Sequence, residues 1–364
     1  MAVEFQPQSE EHREAVVRFN RRLEAALGRA PFLLPTEPRS RAGLIEARHW
    51  LAVEGTEVRG GYLLASFPCR LNGAEALAAN IQSPLAESIA EKRYVHLPAL
   101  MVRQFVRHNP LCFCVGMGEA SNPLPRLLRA AGWSVEAVPF LFRVHRAARF
   151  LRLLPALRAS WWRRAAAWAA ARTGAGALGG AWLHRRRERA PAGSSVTVES
   201  GWGSWADEVW QAFEGEFRFA VRRDAAMLGE LYSPLETRLR IYRIRTRAET
   251  VGWAAALLTP MRGHAYFGDL CVATILDCAA TPEGFFTVAA LADEALGAEG
   301  ADVVITNQAL PRWRRAFREA GFWPGPSNYQ LACSPRLVAA LSPNPVASGL
   351  VHITRGDGDG RIHL

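Results

Sequence analysis

The chain has a single lysine, Lys92, and its basic residues are otherwise all arginine. That bias reads as genomic base composition rather than chemistry. No CxxC and no Cys/His spacing of the kind that holds zinc is present. The six cysteines, Cys69, Cys112, Cys114, Cys271, Cys278 and Cys333, sit in apolar, strand-like runs. They read as free buried thiols in a reducing cytoplasm, and no metal is expected. The opening MAVEFQPQSEEHREAVV lacks a basic segment followed by an apolar core, so no secretory signal is expected. Ala165 to Trp182 is alanine- and glycine-rich and broken by Arg172, which excludes it as a transmembrane span.

What is present is globular. The 364 residues suit two domains, and 49% hydrophobic with 21% charged residues is ordinary globular composition. The net charge of +10 is unevenly placed. Arg143 to Ala190 holds twelve arginines and one acid, Glu188, which gives +11 and leaves the rest near −1. Neither half therefore carries a basic face for nucleic acid, and no DNA partner is expected. In the basic stretch Arg152, Arg158, Arg163, Arg164 and Arg172 interleave with Trp161, Trp162 and Trp168, and Arg185-Arg186-Arg187 follow. Such a segment suits an anionic membrane surface, here through residues 146–190. A helical linker with solvated charges is the alternative.

Hydrophobic periodicity predicts a strand at Val3 to Gln6 and an amphipathic helix at Ser9 to Leu27. Strands follow at His49 to Val53, Val58 to Phe67 and Ala76 to Ile81. A helix at Leu97 to His108, a strand at Leu111 to Val115, a helix at Leu124 to Ala131 and a strand pair over Val135 to Val144 complete the first half. The second half repeats this order. It runs from a strand at Val196 to Glu199 and a helix at Trp205 to Phe217 through strands at Leu239 to Arg245, Thr250 to Thr259, His264 to Leu270 and Thr274 to Ala279. A helix at Phe286 to Ala298, a strand at Asp302 to Thr306, a helix at Pro311 to Ala320 and a strand at Asn328 to Cys333 end it. Val58-Arg59-Gly60-Gly61-Tyr62 is similar to Val251-Gly252-Trp253-Ala254-Ala255, and Leu127 to Trp133 is similar to Ala316 to Phe322. Repetition over both halves points to duplication.

Each half ends on a buried strand, a polar loop, a short helix and Gly-Trp or Gly-Phe. With the element order, this resembles the GNAT acyltransferase superfamily. It is also similar to the tandem GNAT-like proteins of bacterial polysaccharide loci, and more distantly to the doubled FemAB-type transferases. The resemblance implies an α/β (α+β) fold of two tandem domains, each a mixed, mostly antiparallel sheet flanked by helices. The expected bounds are 1–145 and 196–338, with a linker at 146–195 and a tail at 339–364. It implies acyl transfer from acetyl-CoA or another acyl-CoA to an amine, such as an amino sugar or cell-envelope precursor. The acceptor would be a small molecule or glycolipid-like, and the protein cytoplasmic or peripheral at the inner membrane face. Aminoacyl transfer from charged tRNA and a non-catalytic binding scaffold are the alternatives.

The superfamily's glycine-rich loop lets backbone N–H groups approach a pyrophosphate at a helix N-terminus. The equivalent stretch in the first half, Lys92-Arg93-Tyr94-Val95-His96-Leu97-Pro98-Ala99, keeps cations and lacks glycine. The second, Ala279 to Phe286, has Gly284 but no cation, and Glu283 repels phosphate. The family's tyrosine acid is also missing, with Leu128 and Phe317 at or beside its place. Lys92, Arg93 and Tyr94 are candidate phosphate-loop residues, or else solvated loop side chains. Asn80, Gln82 and Asn122 are candidates for orienting the acyl donor, or else ordinary strand-end and loop residues. His96 and Glu119 are candidate bases, one at a helix start and one on a strand-end loop. Asp269 and Asp277 lie within apolar sequence, where each must be exposed in a cleft, paired or pKa-shifted, and they are the candidate catalytic acids if the second half holds the acceptor, or else turn or cap residues. Asp357 and Asp359 read as part of a flexible glycine-rich tail, too short for an EF-hand.

Overall fold

The computed structural model describes residues 3–28, 32–38, 40, 41, 43–155, 189–233 and 235–358. The chain opens with β1 (Glu4–Pro7) and α1 (Arg13–Leu27). Val16, Phe19 and Leu23 share one face of α1 and are buried, the pattern of a helix laid on a core. β2 (Ser40–Arg41), β3 (Glu46–Glu54), β4 (Glu57–Leu71) and β5 (Ala74–Ala86) follow. The β4–β5 hairpin turns on Asn72 and Gly73, both at positive φ, as a tight two-residue turn demands. Next come α2 (Leu97–His108), β6 (Cys112–Gly116), α3 (Pro123–Ala130), β7 (Ser134–Ala137), β8 (Phe140–Val144) and α4 (Ala147–Leu153). Most of the basic stretch, residues 156–188, lies outside the described residues, and its membrane reading with it.

The second stretch runs β9 (Ser194–Glu199), α5 (Ser204–Phe213), β10 (Phe219–Val221), α6 (Ala225–Leu231), β11 (Leu239–Thr246), β12 (Glu249–Pro260) and β13 (Cys271–Ala280). It ends with α7 (Phe285–Ala298), β14 (Val303–Asn307), α8 (Pro311–Glu319), β15 (Trp323–Gly325), β16 (Gln330–Cys333) and α9 (Pro335–Ala340).

These elements form two compact units, each discontinuous in sequence. Unit 1 comprises Met1–Ala137, Arg218–Arg222 and Asn328–Leu350; unit 2 comprises Val138–Phe217, Arg223–Ser327 and Val351–Leu364. Each is a mostly antiparallel sheet flanked by helices. The strand order is β1-β3-β4-β5-β6-β16-β7 in unit 1, with β2 on β3 and β10 on β4. In unit 2 it is β9-β11-β12-β13-β14-β8-β15. Each sheet has one parallel pairing, β5 with β6 and β13 with β14.

The two orders correspond place for place. In both, the strand second from one edge comes from the other half of the chain: β16 in unit 1, β8 in unit 2. The compact units thus differ from the contiguous bounds expected, since 140–144 belongs to unit 2 and 328–338 to unit 1. The expected strand pair at Val135 to Val144 is also not a pair. β7 bonds to β16, and β8 to β14 and β15. Val138-Pro139 between them has none of the glycine or asparagine a tight hairpin needs.

The repeat survives at the level of contacts. Gly60 faces Ala86 across β4 and β5, and Gly252 faces Ala280 across β12 and β13. The alignment of Arg59 with Gly252 is therefore displaced by one residue. Gly132 (φ 81°) and Gly321 (φ 95°) close α3 and α8 in the left-handed conformation. The N–H groups of Trp133 and Phe322 then bond back to the carbonyls of Leu128 and Phe317 at 3.0 and 2.9 Å. The predicted strand at His264 to Leu270 is a turn, held by a bridge between His264 and Gly268. Gly268 is at φ 58°, which an extended strand does not accommodate.

Candidate functional site

In unit 1, β5 and β6 pair only at Ala79–Cys112 and Asn80–Phe113, and then part. Beyond that point β5 bonds only to β4, and β6 only to β16 on its far side. The Cys114 thiol donates to the Ile81 carbonyl at 3.1 Å across the start of the opening. The register of β5 against β4 shifts between Gly61 and Leu63, and Ser83 in the resulting bulge has φ 46°. Asn80 is fully buried just before the opening. Gln82 follows, and its amide nitrogen Nε2 is buried with no hydrogen-bond partner among the described residues. A buried donor without an acceptor is costly and marks where a ligand oxygen would be welcome.

β5 runs on into single turns of 3-10 helix, Glu87–Ile89 and Lys92–Tyr94, and then into α2. Lys92, Arg93 and His96 are exposed there. His96 is the N-cap residue of α2, has helical dihedrals and makes no side-chain cap, so its side chain leaves the amides of the first turn free. Tyr94 is buried, and its hydroxyl donates to Glu54 Oε2 at 2.7 Å. Burial, then the hydrogen bond to Glu54, raises the Tyr94 phenol. The Tyr94 hydrogen bond, with the charges of Arg93 and Arg59, lowers the Glu54 carboxyl. Arg93 reaches Glu54 at 3.3 Å, whereas Lys92 has no ion-pair partner among the described residues. Tyr94 therefore anchors the loop, and Lys92 and Arg93 present cations beside an uncapped helix start. Such a place suits a phosphate.

After β6 the chain turns through Gly116, Met117 and Gly118, all at positive φ. The Asn122 amide donates to the Met117 carbonyl at 3.2 Å and holds this turn. Glu119 is exposed; its carbonyl accepts the Asn122 N–H at 3.0 Å, and among the described residues its carboxylate accepts a long bond, 3.5 Å, from Ser121. Leu128 is buried in the core against α2, so no acid takes the tyrosine's place there.

In unit 2 the corresponding strands β13 and β14 pair from Val272–Val303 to Ile275–Thr306 and then part in the same way. Here the opening is filled by the chain's own residues 351–357. Ala309 N–H donates to the Ile353 carbonyl at 3.0 Å, and Gln308 and Thr354 form a bridge on the β14 side. On the β13 side the segment meets Asp277. Asp277 Oδ2 accepts from Arg223 Nε at 2.5 Å and from the Tyr232 hydroxyl at 2.8 Å. Its Oδ1 accepts from Cys278 N–H at 2.9 Å and Thr354 Oγ1 at 3.3 Å, and faces His352 Nε2 at 3.3 Å. Arg223 Nη2 also binds Asp357 Oδ1 at 2.6 Å. The Arg223 charge, with the nearby His352 and the Tyr232 hydroxyl, outweighs burial and holds Asp277 below the usual carboxylate range.

The acids singled out in the second half thus have structural partners. Asp277 is fully buried and paired, which leaves no path for proton exchange with a substrate. Asp269 is exposed and accepts the Gly263 N–H at 2.8 Å, closing the 263–269 turn. Gly284 is needed for packing: a Cβ there would overlap the Val251 carbonyl. Asp357, expected in a flexible tail, is buried in an ion pair instead, while Asp359 lies outside the described residues. Arg223, Tyr232, His352 and Thr354 were not singled out in the sequence. A lone arginine and a lone histidine give no local sign of a carboxylate that folding brings to them. Among the described residues there is no cluster of metal-ligating side chains and no helix long and apolar enough to cross a membrane.

No protein-family model matches this sequence, and no curated protein matches it. Solved structures do. A conserved protein of Enterococcus faecalis described as a "probable N-acyltransferase" aligns over 94% of this chain and 75% of its own, with 9% identity and a TM-score of 0.50. A GNAT-type N-acetyltransferase from Anabaena variabilis aligns over 90% and 72%, with 11% identity and a TM-score of 0.49. A tandem GNAT protein of the clavulanic acid biosynthesis pathway aligns over 91% and 98%, with 16% identity and a TM-score of 0.44. At such identities the likeness is one of fold: the chain shares with the Enterococcus faecalis protein an arrangement that here comprises two mostly antiparallel sheets of corresponding strand order.

Proposed function

We propose that the protein transfers an acyl group from an acyl-CoA to an amine, with the donor seated in unit 1 between β5 and β6. The observation that carries this reading is the contrast between the two openings. In unit 2 residues 351–357 fill the space, whereas in unit 1 no strand among the described residues pairs into it. The orphan Gln82 amide, the exposed Lys92 and Arg93 and the uncapped start of α2 supply donors and positive charge where a thioester and a pyrophosphate need them. Lys92 and Arg93 here take the place of the glycine-loop N–H groups as the phosphate's partners.

In such a reaction the amine nitrogen bonds to the thioester carbonyl carbon, the C–S bond breaks, and the thiolate leaves. The proton lost by the amine goes to a base and the thiolate takes one up. His96 and Glu119 are the candidate bases, each exposed beside the opening's flanking turns. The acceptor we favour is a small or glycolipid-like amine, with residues 146–190 as the route to an anionic membrane face.

Calorimetry with acetyl-CoA tests the reading. We expect saturable binding, weakened about tenfold or more in Lys92→Ala and in Arg93→Ala, the scale of a charged contact. Lys92 has no ion-pair partner among the described residues, so its removal should leave folding unchanged. If wild type binds neither acetyl-CoA nor longer acyl-CoAs, the reading is wrong and a doubled binding scaffold replaces it.

A further inference from the structure

We propose that a groove on unit 2, between α8 and the strands β8 and β15, is a binding site for a phosphate-bearing ligand. The groove has a volume of about 360 Å³, the low end of small-molecule sites. Arg314, Arg315, Arg318 and Glu319 of α8 line it, with Pro139 and Pro324 among its apolar residues. α8 carries four arginines, and they divide into two kinds. Arg312 is ion-paired with Glu216, and Arg315 with Glu319 at 2.7 Å. Arg314 and Arg318 have no carboxylate or hydrogen-bond partner among the described residues. Arg314 Nε is buried without an acceptor.

Arg314 and Arg318 stand four residues apart on one helix face, where like charges repel. Burial first, and then the Arg318 charge, lowers the Arg314 guanidinium. Arg318 is placed well for the dipole at the helix C-terminus. Arg314 sits mid-helix and gains nothing from it. An anion bridging the two guanidinium groups would satisfy the buried Nε, cancel the repulsion and accept paired N–H bonds. Phosphate matches that donor geometry, and the proline-lined wall suits the organic part of a phosphate ester. The site is built on elements of unit 2 and does not depend on where acyl-CoA binds.

The test is titration of the full chain with inorganic pyrophosphate. A second arm uses vesicles of phosphatidylcholine containing phosphatidic acid. Pyrophosphate should bind saturably, more weakly as salt rises, and at least tenfold more weakly in Arg314→Ala and in Arg318→Glu. Arg336→Ala, an exposed arginine on α9, should bind as wild type does. Arg318 is exposed and has no ion-pair partner among the described residues, so Arg318→Glu tests the site without disturbing the core. Vesicle binding lost in Arg318→Glu, with no pyrophosphate binding, would support the site and assign its phosphate to a lipid headgroup. No binding in either arm, or equal weakening by Arg336→Ala, overturns the proposal.

Discussion

Asp277 shows what a carboxylate inside an apolar strand requires. Its two oxygens are divided between Arg223 with Tyr232 on one side and Cys278 N–H with Thr354 on the other. Removing it leaves the buried Arg223 guanidinium with one carboxylate in place of two, so Asp277→Ala should cost about 3–5 kcal/mol, read as a lower urea midpoint. The pH dependence has a definite sign. The folded carboxyl lies below its ordinary value near ~3.9, so its stabilisation is complete above that value and is lost as pH falls through the folded one. Melting temperature should therefore drop on acidification below about pH 4, and Asp277→Asn should drop less steeply over the same range. An unchanged acid slope in Asp277→Asn would sink this account. The sequence showed that Asp277 needed a partner but not which one. Arg223 is 54 residues away, and the Arg223–Asp357 pair spans 134. In the opening of unit 1 the cations of the Lys92 loop were legible as a local cluster. The Glu54 carboxylate that ties down Tyr94 was not, because it arrives from a different strand.

Elements were largely legible where periodicity and turn chemistry agreed. α1, α2 and the two strands β4 and β5 lie where the pattern put them, β4 and β5 each running longer than expected. His264 to Leu270 is a turn rather than the expected strand because Gly263 and Gly268, both at positive φ, interrupt its apolar residues. Gly252 shows how tightly the elements close. A Cβ there would lie 2.5 Å from both the Ala279 carbonyl and Val288 Cγ2, so β12, β13 and α7 leave no room. Gly252→Ala should cost about 1–3 kcal/mol. Gly215, in the 3-10 turn after α5, has nothing within 4 Å of an added Cβ. Gly215→Ala should be neutral or stabilising by up to about 1 kcal/mol. Thermal melts of the two variants check the contrast, and equal losses would count against it.

At the scale of the molecule, duplication was legible in the repeated element order, but the exchange of strands was not. β8 and β16 are both short and apolar, and nothing in their own residues states which sheet they enter. The expected bounds at 145 and 196 therefore cut through both sheets. A chain ended at residue 327 keeps almost all of unit 1 in sequence yet lacks the strand between β6 and β7. It should lose the protease resistance of residues 3–137, although the cut lies nearly two hundred residues downstream. A protected fragment of that span from the truncated chain would refute the expectation. The exchange also sets a timetable at the ribosome. β7 leaves the exit tunnel about 190 residues before β16, a delay of roughly 10–40 s at ordinary elongation rates. Until then the apolar edges of β6 and β7 wait without their neighbour. The nascent chain should accordingly be a client of holding chaperones, and should reach its native state only after translation has nearly finished.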